Sequence, residues 1–123
     1  MVATVDKIPR EKEKHMRENV IERALREDIK KKGGWCLKFV SPGTAGVPDR
    51  ICLLPGGVIA FVELKAPGRH VKDGSLQEFW GPELDRMDFH WCEINTTEDA
   101  KALAQYLGNL SRLRTGKEVS QRE

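Results

Sequence analysis

The sequence predicts an α/β protein in which helices cover both faces of a mixed four-stranded sheet, with the element order αβββαβα. Three observations support this prediction. Apolar residues recur at three- and four-residue spacings towards both ends of the chain, as they do on one side of a helix. Two apolar runs flank Pro55-Gly56-Gly57, which is typical of a β-hairpin. A helical pattern separates the third and fourth apolar runs, and such a crossover joins parallel strands.

The helices are predicted from their apolar faces and their end signals. The first is expected over residues 11–32, a charged stretch without glycine or proline. The capping box Ser75-Leu76-Gln77-Glu78 opens the second, with Gly81-Pro82 as a potential kink. Thr96 caps the third, which is expected to end at about Leu110. The apolar faces of the first and third helices are formed by Val20, Ile21, Ala24, Leu25 and Ile29, and by Ala100, Leu103, Ala104 and Leu107.

Four apolar runs predict the strands. They cover residues 35–40, 49–54, 58–65 and 89–94. The first two are separated by residues 41–48, a loop rich in glycine, proline, serine and threonine. The strands and helices together make one domain, expected over residues 11–111, between flexible ends at residues 1–10 and 112–123.

Composition favours a cytoplasmic protein. No apolar run approaches the roughly 20 residues needed to cross a bilayer, and the N-terminus lacks the apolar core of a signal peptide. The three cysteines, Cys36, Cys52 and Cys92, are odd in number and widely spaced. Reduced, packed thiols are therefore favoured over zinc binding by these cysteines with His90.

The charge is unevenly distributed although the net charge is +2. Residues 1–32 carry ten Lys and Arg against seven Asp and Glu, and residues 112–123 carry four against two. Residues 33–111 carry seven against ten. Basic ends around an acidic centre fit a polyanion held at the periphery, with the central acids neutralised by a metal ion. Solvated helix faces and tails would give the same distribution.

Three charged residues stand where the pattern predicts a hairpin of apolar strands. Asp49 opens the second strand, and Glu63 and Lys65 lie on one face at the end of the third. The short turn between these strands brings Asp49 beside Glu63 and Lys65. Two carboxylates with a lysine can bind a hard divalent cation and activate water. The alternative, a cross-strand salt bridge of Lys65 with one acid, leaves the other acid unexplained.

The first helix offers a further carboxylate. At about 100° per residue, Glu18 and Glu22 fall about 60° and 100° from Ile21, beside the apolar stripe. An acid at such a position either extends its head to water or faces a site. Either residue could therefore supply a third carboxylate.

The order Glu, Gly-x-Pro-Asp, Glu-x-Lys resembles the PD-(D/E)xK nuclease superfamily. The likeness is strongest to its virus-type replication-repair nuclease (VRR-NUC) branch, through residues 38–50 and 61–68, and it covers the chain from about Glu18 to Ile94. It implies the PD-(D/E)xK fold and a metal-dependent endonuclease. The chain is also similar to Holliday-junction resolvases, whose helical glutamate lies eleven residues before a helix-ending glycine. Counting back from Gly33 favours Glu22 over Glu18.

The resemblance also implies roles for individual residues. Asp49, Glu63, the backbone carbonyl of Leu64 and the helical Glu22 would bind Mg²⁺ or Mn²⁺. Lys65 would orient or activate the attacking water. The family has a glutamine at the start of the following helix, which Gln77 matches. That amide could position the lysine or a phosphate; otherwise it is a solvated residue of the first turn.

The substrate implied is DNA, and several polar residues on or beside the predicted loops could hold its phosphates. The sequence contains no helix-turn-helix or zinc-finger pattern, which favours structure-selective cutting. Small bacterial and viral members suggest a homodimer that cuts four-way junctions, with Trp80, Trp91, Leu103 and Leu107 as candidate contacts between subunits. The alternatives are a non-catalytic DNA-binding module and a nuclease for flaps or linear DNA. The candidate phosphate-binding residues are Lys38, Ser41, Arg50, Arg69 and Lys72.

Overall fold

A computed structural model describes residues 10–66 and 76–116. Within these residues no helix is both long enough and apolar enough to span a bilayer. The predicted order αβββαβα is confirmed. The elements are α1 (Arg10–Lys31), β1 (Trp35–Lys38), β2 (Arg50–Leu54), β3 (Val58–Leu64), α2 (Leu76–Arg86), β4 (His90–Ile94) and α3 (Thr97–Thr115).

The four strands form one mixed sheet in the order β1-β2-β3-β4. β1 pairs antiparallel with β2, and β2 pairs antiparallel with β3. β3 and β4 are parallel, as the helical crossover between them predicted. β1 and β4 are therefore the edge strands of the described sheet.

The two faces of the sheet have different coverings. Even-numbered strand residues such as Cys52, Ala60 and Val62 are buried in one core with α1 and α3. Odd-numbered residues of β3 and β4 point to the opposite face, where α2 packs on β4 and Gly81 lies against the Trp91 ring. The prediction of helices on both faces is confirmed.

The apolar faces of the helices agree with the prediction except at particular positions. Ile21, Leu25 and Ile29 are buried on α1, but Val20 is exposed, which corrects its place in the stripe. Leu107, predicted as a subunit contact, is fully buried in the core and unavailable to a partner. Trp91 is half-buried beneath α2. The remaining two candidates, Trp80 and Leu103, are also half-buried.

Helix α3 is longer than predicted. It runs to Thr115, where Gly116 caps it in the left-handed conformation and donates its N–H to Arg112 O, so the end expected at Leu110 is wrong. The added turn packs on the β2–β3 hairpin, since the buried Ser111 hydroxyl donates to Pro55 O at 2.6 Å. At its start, Thr96 Oγ1 accepts from Asp99 N, as the capping signal predicted.

The potential kink in α2 does not interrupt that helix, which continues through Pro82 to Arg86. Ser75, the predicted cap of α2, lies outside the described residues. The expected flexible ends lie largely outside them too, since residues 1–9 and 117–123 are not described.

Candidate active site

Asp49 and Glu63 are brought together at the open end of the β2–β3 hairpin. Arg50 is the register partner of Val62, so Asp49 lies opposite Glu63 just before β2 begins. Alternation directs both side chains to the α2 face of the sheet. Asp49 Oδ1 accepts a hydrogen bond from Leu64 N at 3.2 Å, which ties the carboxylate to the end of β3.

The Glu63 carboxylate is buried, with the residue 3% exposed. Burial and the neighbouring Asp49 charge raise the pKa of Glu63 to about 7, against the lowering effect of Lys65. Burial also raises the pKa of Asp49, although the Leu64 N–H and Arg50 oppose the shift. Two acids that destabilise each other's charge in a low-polarity setting are an arrangement that a bound cation would relieve.

Gln77, in the first turn of α2, forms hydrogen bonds with both Glu63 and Lys65. Its Nε2 donates to Glu63 Oε2 at 2.8 Å, and its Oε1 accepts from Lys65 Nζ at 2.8 Å. Lys65 Nζ also lies 3.5 Å from Glu63 Oε2. The lysine ammonium is therefore held beside the carboxylate through one amide, whose donor and acceptor ends are both engaged.

The two helical glutamates have different surroundings. Glu22 Oε1 accepts from Arg26 Nη1 at 2.8 Å, and Glu22 Oε2 lies 3.6 Å from Arg50 Nε. Arg50 is on the α1 face of β2, opposite to the face that carries Asp49 and Glu63. Glu18, one turn earlier, is the helical acid whose charge raises the pKa of both Asp49 and Glu63.

The loop before Asp49 is fixed by contacts that the sequence pattern did not identify. Gly46 has φ +82°, and a Cβ there would lie 2.5 Å from Leu76 Cβ, so a side chain fits neither the backbone nor the space. Trp80 Nε1 donates to Ala45 O at 3.3 Å. Both contacts hold the loop against α2, the helix that carries Gln77. The signal for this close contact that the sequence did contain is Gly46, two residues before Pro48 and the second strand.

The candidate phosphate-binding residues are placed as follows. Lys38 is exposed at the end of β1, and Ser41 is half-buried in a turn that Thr44 N closes on Ser41 O. Arg50 is mostly buried and engaged within the chain, since Nη1 donates to Asp49 O at 2.8 Å. Arg69 and Lys72 lie outside the described residues.

The basic last turn of α3 lies far from the two acids. Arg114 Nη1 donates to Gly57 O at 3.1 Å, at the closed end of the hairpin. β2 and β3 run from that turn to Asp49 and Glu63 at the open end. At about 3.3 Å per residue, five strand residues separate the two ends by roughly 17 Å. The C-terminal basic residues of the described chain thus do not adjoin the carboxylates of the same subunit.

A divalent metal ion fits this donor set in chemical type. Mg²⁺ and Mn²⁺ prefer carboxylate and carbonyl oxygens, and Asp49 and Glu63 present carboxylate oxygens beside the Leu64 peptide. The part of the chain that the structure describes contains no group of three or more His, Cys, Asp or Glu side chains placed to hold a metal ion. Asp49 and Glu63 are the two carboxylates that the open end of the hairpin brings together.

Comparison with known proteins supports a nuclease. No protein-family model matches the chain. A protein of Acyrthosiphon pisum secondary endosymbiont phage 1, named "Putative nuclease p44", is 51% identical over 63 residues, which are 51% of this chain and 68% of that protein. A solved VRR_NUC domain superposes with a TM-score of 0.67 at 23% identity, over 73% of this chain and 96% of that domain. With its mixed sheet and the acids at the hairpin's open end, the chain belongs to the VRR-NUC family of nuclease domains.

Proposed function

We propose that this protein is a metal-dependent, structure-selective DNA endonuclease that hydrolyses phosphodiester bonds, and that its preferred substrate is the four-way junction. The observation that carries the proposal is that Gln77 joins Glu63 to Lys65 while Asp49 is held opposite Glu63 by the Leu64 N–H. A salt bridge with Lys65 alone would need one acid, whereas here a second acid, Asp49, lies opposite the Glu63 that Lys65 and Gln77 contact. The second acid is explained if the group is built around a cation.

The residues divide the work of hydrolysis between them. A bound Mg²⁺ or Mn²⁺ would neutralise the phosphodiester and lower the pKa of a water molecule. Asp49, Glu63 and the Leu64 carbonyl would hold the ion, since they meet at one strand end. Gln77 keeps the Lys65 ammonium on the Glu63 side of the site, where it can orient the attacking water or bind the phosphate oxygen.

A glutamate on α1, either Glu18 or Glu22, would supply one further ligand to the metal ion. The resemblance favours Glu22, but that carboxylate is paired with Arg26 and Arg50. Glu18 is half-buried, and its charge raises the pKa of both strand acids. We therefore favour Glu18 as the third carboxylate that would hold the cation.

The test of this function is a cleavage assay with branched and linear DNA in Mg²⁺ or Mn²⁺. Four-way junctions are expected to be cut by paired, symmetric incisions, much faster than linear duplex, and chelation should abolish cutting. Tight binding of branched DNA without cleavage of any substrate would support a non-catalytic module. Faster cutting of flaps or linear DNA would keep the nuclease and reject the resolvase.

Resolution of a junction needs two cuts, and we propose that a homodimer supplies them. The odd-numbered face of β1 and β2 is apolar and exposed at Trp35, Leu37 and Leu53, at the sheet edge that α2 leaves uncovered. Contiguous apolar surface of this kind is typical of a protein–protein contact. Two copies joined there would each cover the exposed apolar face of the other's β1 and β2.

Leu37→Glu is expected to convert the dimer into a monomer, because it places a charge in the centre of that face, where Leu37 is 43% exposed. Sedimentation at micromolar concentration should give about twice the chain mass for the wild type and about the chain mass for the variant. Leu113→Glu, at a 78% exposed position on α3, is the matched control and should remain dimeric. A wild-type monomer that makes single nicks would contradict the resolvase assignment, whereas paired cuts by such a monomer would indicate dimerisation on DNA.

A further inference from the structure

Cys36 and Cys52 form a pair that the nuclease site does not use. They are direct Cα partners across the antiparallel β1–β2 ladder. Both point to the α1 face of the sheet and are buried, at 5% and 0% exposure. The sequence predicted reduced, packed thiols, and both are free thiols in this structure. Their pairing across the two strands was not visible in their spacing.

The ladder geometry suits a covalent link. Directly opposed residues in an antiparallel pair have Cα atoms about 4.5–5.5 Å apart, within the roughly 4.4–6.8 Å found for disulfides. Hydrogen bonding by the neighbouring Cys52 thiol lowers the pKa of Cys36, although burial and Glu22 oppose the shift. Cys36 is therefore the thiol of the pair that more readily becomes the nucleophilic thiolate.

Cys36 is also the thiol that a small molecule can approach. It lines a surface cavity of about 350 Å³ together with Gly34 and Trp35, and the α1 residues Arg26, Glu27 and Lys30. The two basic side chains outnumber the acid, so the cavity favours an anionic reagent. Cys52 is not among the residues that line this cavity.

We propose that Cys36 and Cys52 are a thiol–disulfide exchange site for an anionic small-molecule disulfide. The Cys36 thiolate attacks one sulfur of the reagent, whose S–S bond breaks and releases one thiolate. Cys52 then attacks Cys36 Sγ and expels the second thiolate, which takes up the proton that Cys52 loses. The two cysteines are oxidised to one cross-strand disulfide, and the reagent is reduced to two thiols.

The disulfide would close a loop that contains the residues leading to the nuclease site. Residues 37–51 lie between the two cysteines, and they include Asp49 and the loop that Trp80 and Leu76 hold against α2. Closing a loop of this size restricts the unfolded chain more than the folded one. Oxidation should therefore stabilise the edge of the sheet next to the candidate active site.

The test uses the full chain with oxidised glutathione, followed by non-reducing peptide mass spectrometry. The expected product is a Cys36–Cys52 peptide pair lacking two hydrogens, and a rise in Tm of at least about 4 °C that dithiothreitol reverses. Cys52→Ala should stop at a glutathione adduct on Cys36. Cys36→Ala should leave Cys52 unmodified, because only Cys36 lines the cavity.

The third cysteine supplies the matched control. Cys92 is opposite Val62 rather than a cysteine, and burial raises its pKa to about 12, so Cys92→Ala should still form the bond. Failure of the wild-type protein to form the Cys36–Cys52 link under oxidation would overturn the proposal, and that readout needs no variant. Cross-linking that involves Cys92 as often as Cys52 would overturn it as well.

Discussion

Asp49→Asn is expected to lower the rate of DNA cleavage by more than about 100-fold. Mutating a residue that only hydrogen-bonds to a metal ligand already costs about 10–100-fold in metal affinity or activity, and Asp49 is proposed as a ligand itself. The amide keeps the size of the side chain and can still accept from Leu64 N. It removes, however, one of two charges that a cation would balance. DNA binding should be kept or strengthened, because a negative charge near phosphate is lost. Single-turnover cleavage and equilibrium binding to the same junction measure the two effects.

The matched control for this variant is Asp85→Asn. Asp85 is exposed on α2, eight residues and therefore roughly 12 Å along the helix from Gln77. The control makes the same change of charge and should cleave at the wild-type rate. Near-wild-type cleavage by Asp49→Asn, measured with metal in excess, would remove Asp49 from the site.

Glu18→Gln is expected to reduce cleavage by about 10–100-fold at a fixed, sub-saturating Mg²⁺ concentration and to raise the Mg²⁺ concentration needed for half-maximal rate. The reason is that Glu18 is the helical charge that acts on both Asp49 and Glu63. Glu22→Gln should instead lower Tm with little change in metal requirement, because it weakens the ion pairs with Arg26 and Arg50.

Metal titration and thermal unfolding on both variants separate these two roles. The variants are matched, since each replaces a glutamate on one helix, one turn apart, by its amide. A larger rise in metal requirement for Glu22→Gln than for Glu18→Gln would instead assign the metal ligand to Glu22, the residue that the resemblance to junction resolvases favours.

The fold could be predicted largely because its signals are local. Pro55-Gly56-Gly57 sets the hairpin turn, and both glycines have positive φ there. The apolar run of β3 and the crossover through α2 predict the parallel β3–β4 pair. Glu63 and Lys65 share a face for the same reason, since alternation is a property of the strand itself.

The remaining features depend on contacts between distant parts of the chain. Glu18 and Glu22 lie only about 40° apart around α1. The contact that distinguishes them is the ion pair between Glu22 and Arg50 on β2. The end of α3 depends on Ser111 meeting Pro55, whereas a serine near a helix end is ordinarily a neutral signal. The close approach of Gly46 to Leu76 likewise joins two segments that are thirty residues apart.

The first turns of α2 have a mechanical consequence for the site. They hold the loop before Asp49, through Leu76 and Trp80, and they carry the amide that spaces Glu63 from Lys65. A shift of α2 therefore displaces the two sides of the site together rather than one at a time. The distance between Asp49 and Glu63 and the orientation of Lys65 therefore change together. A contact with substrate that moves α2 alters both.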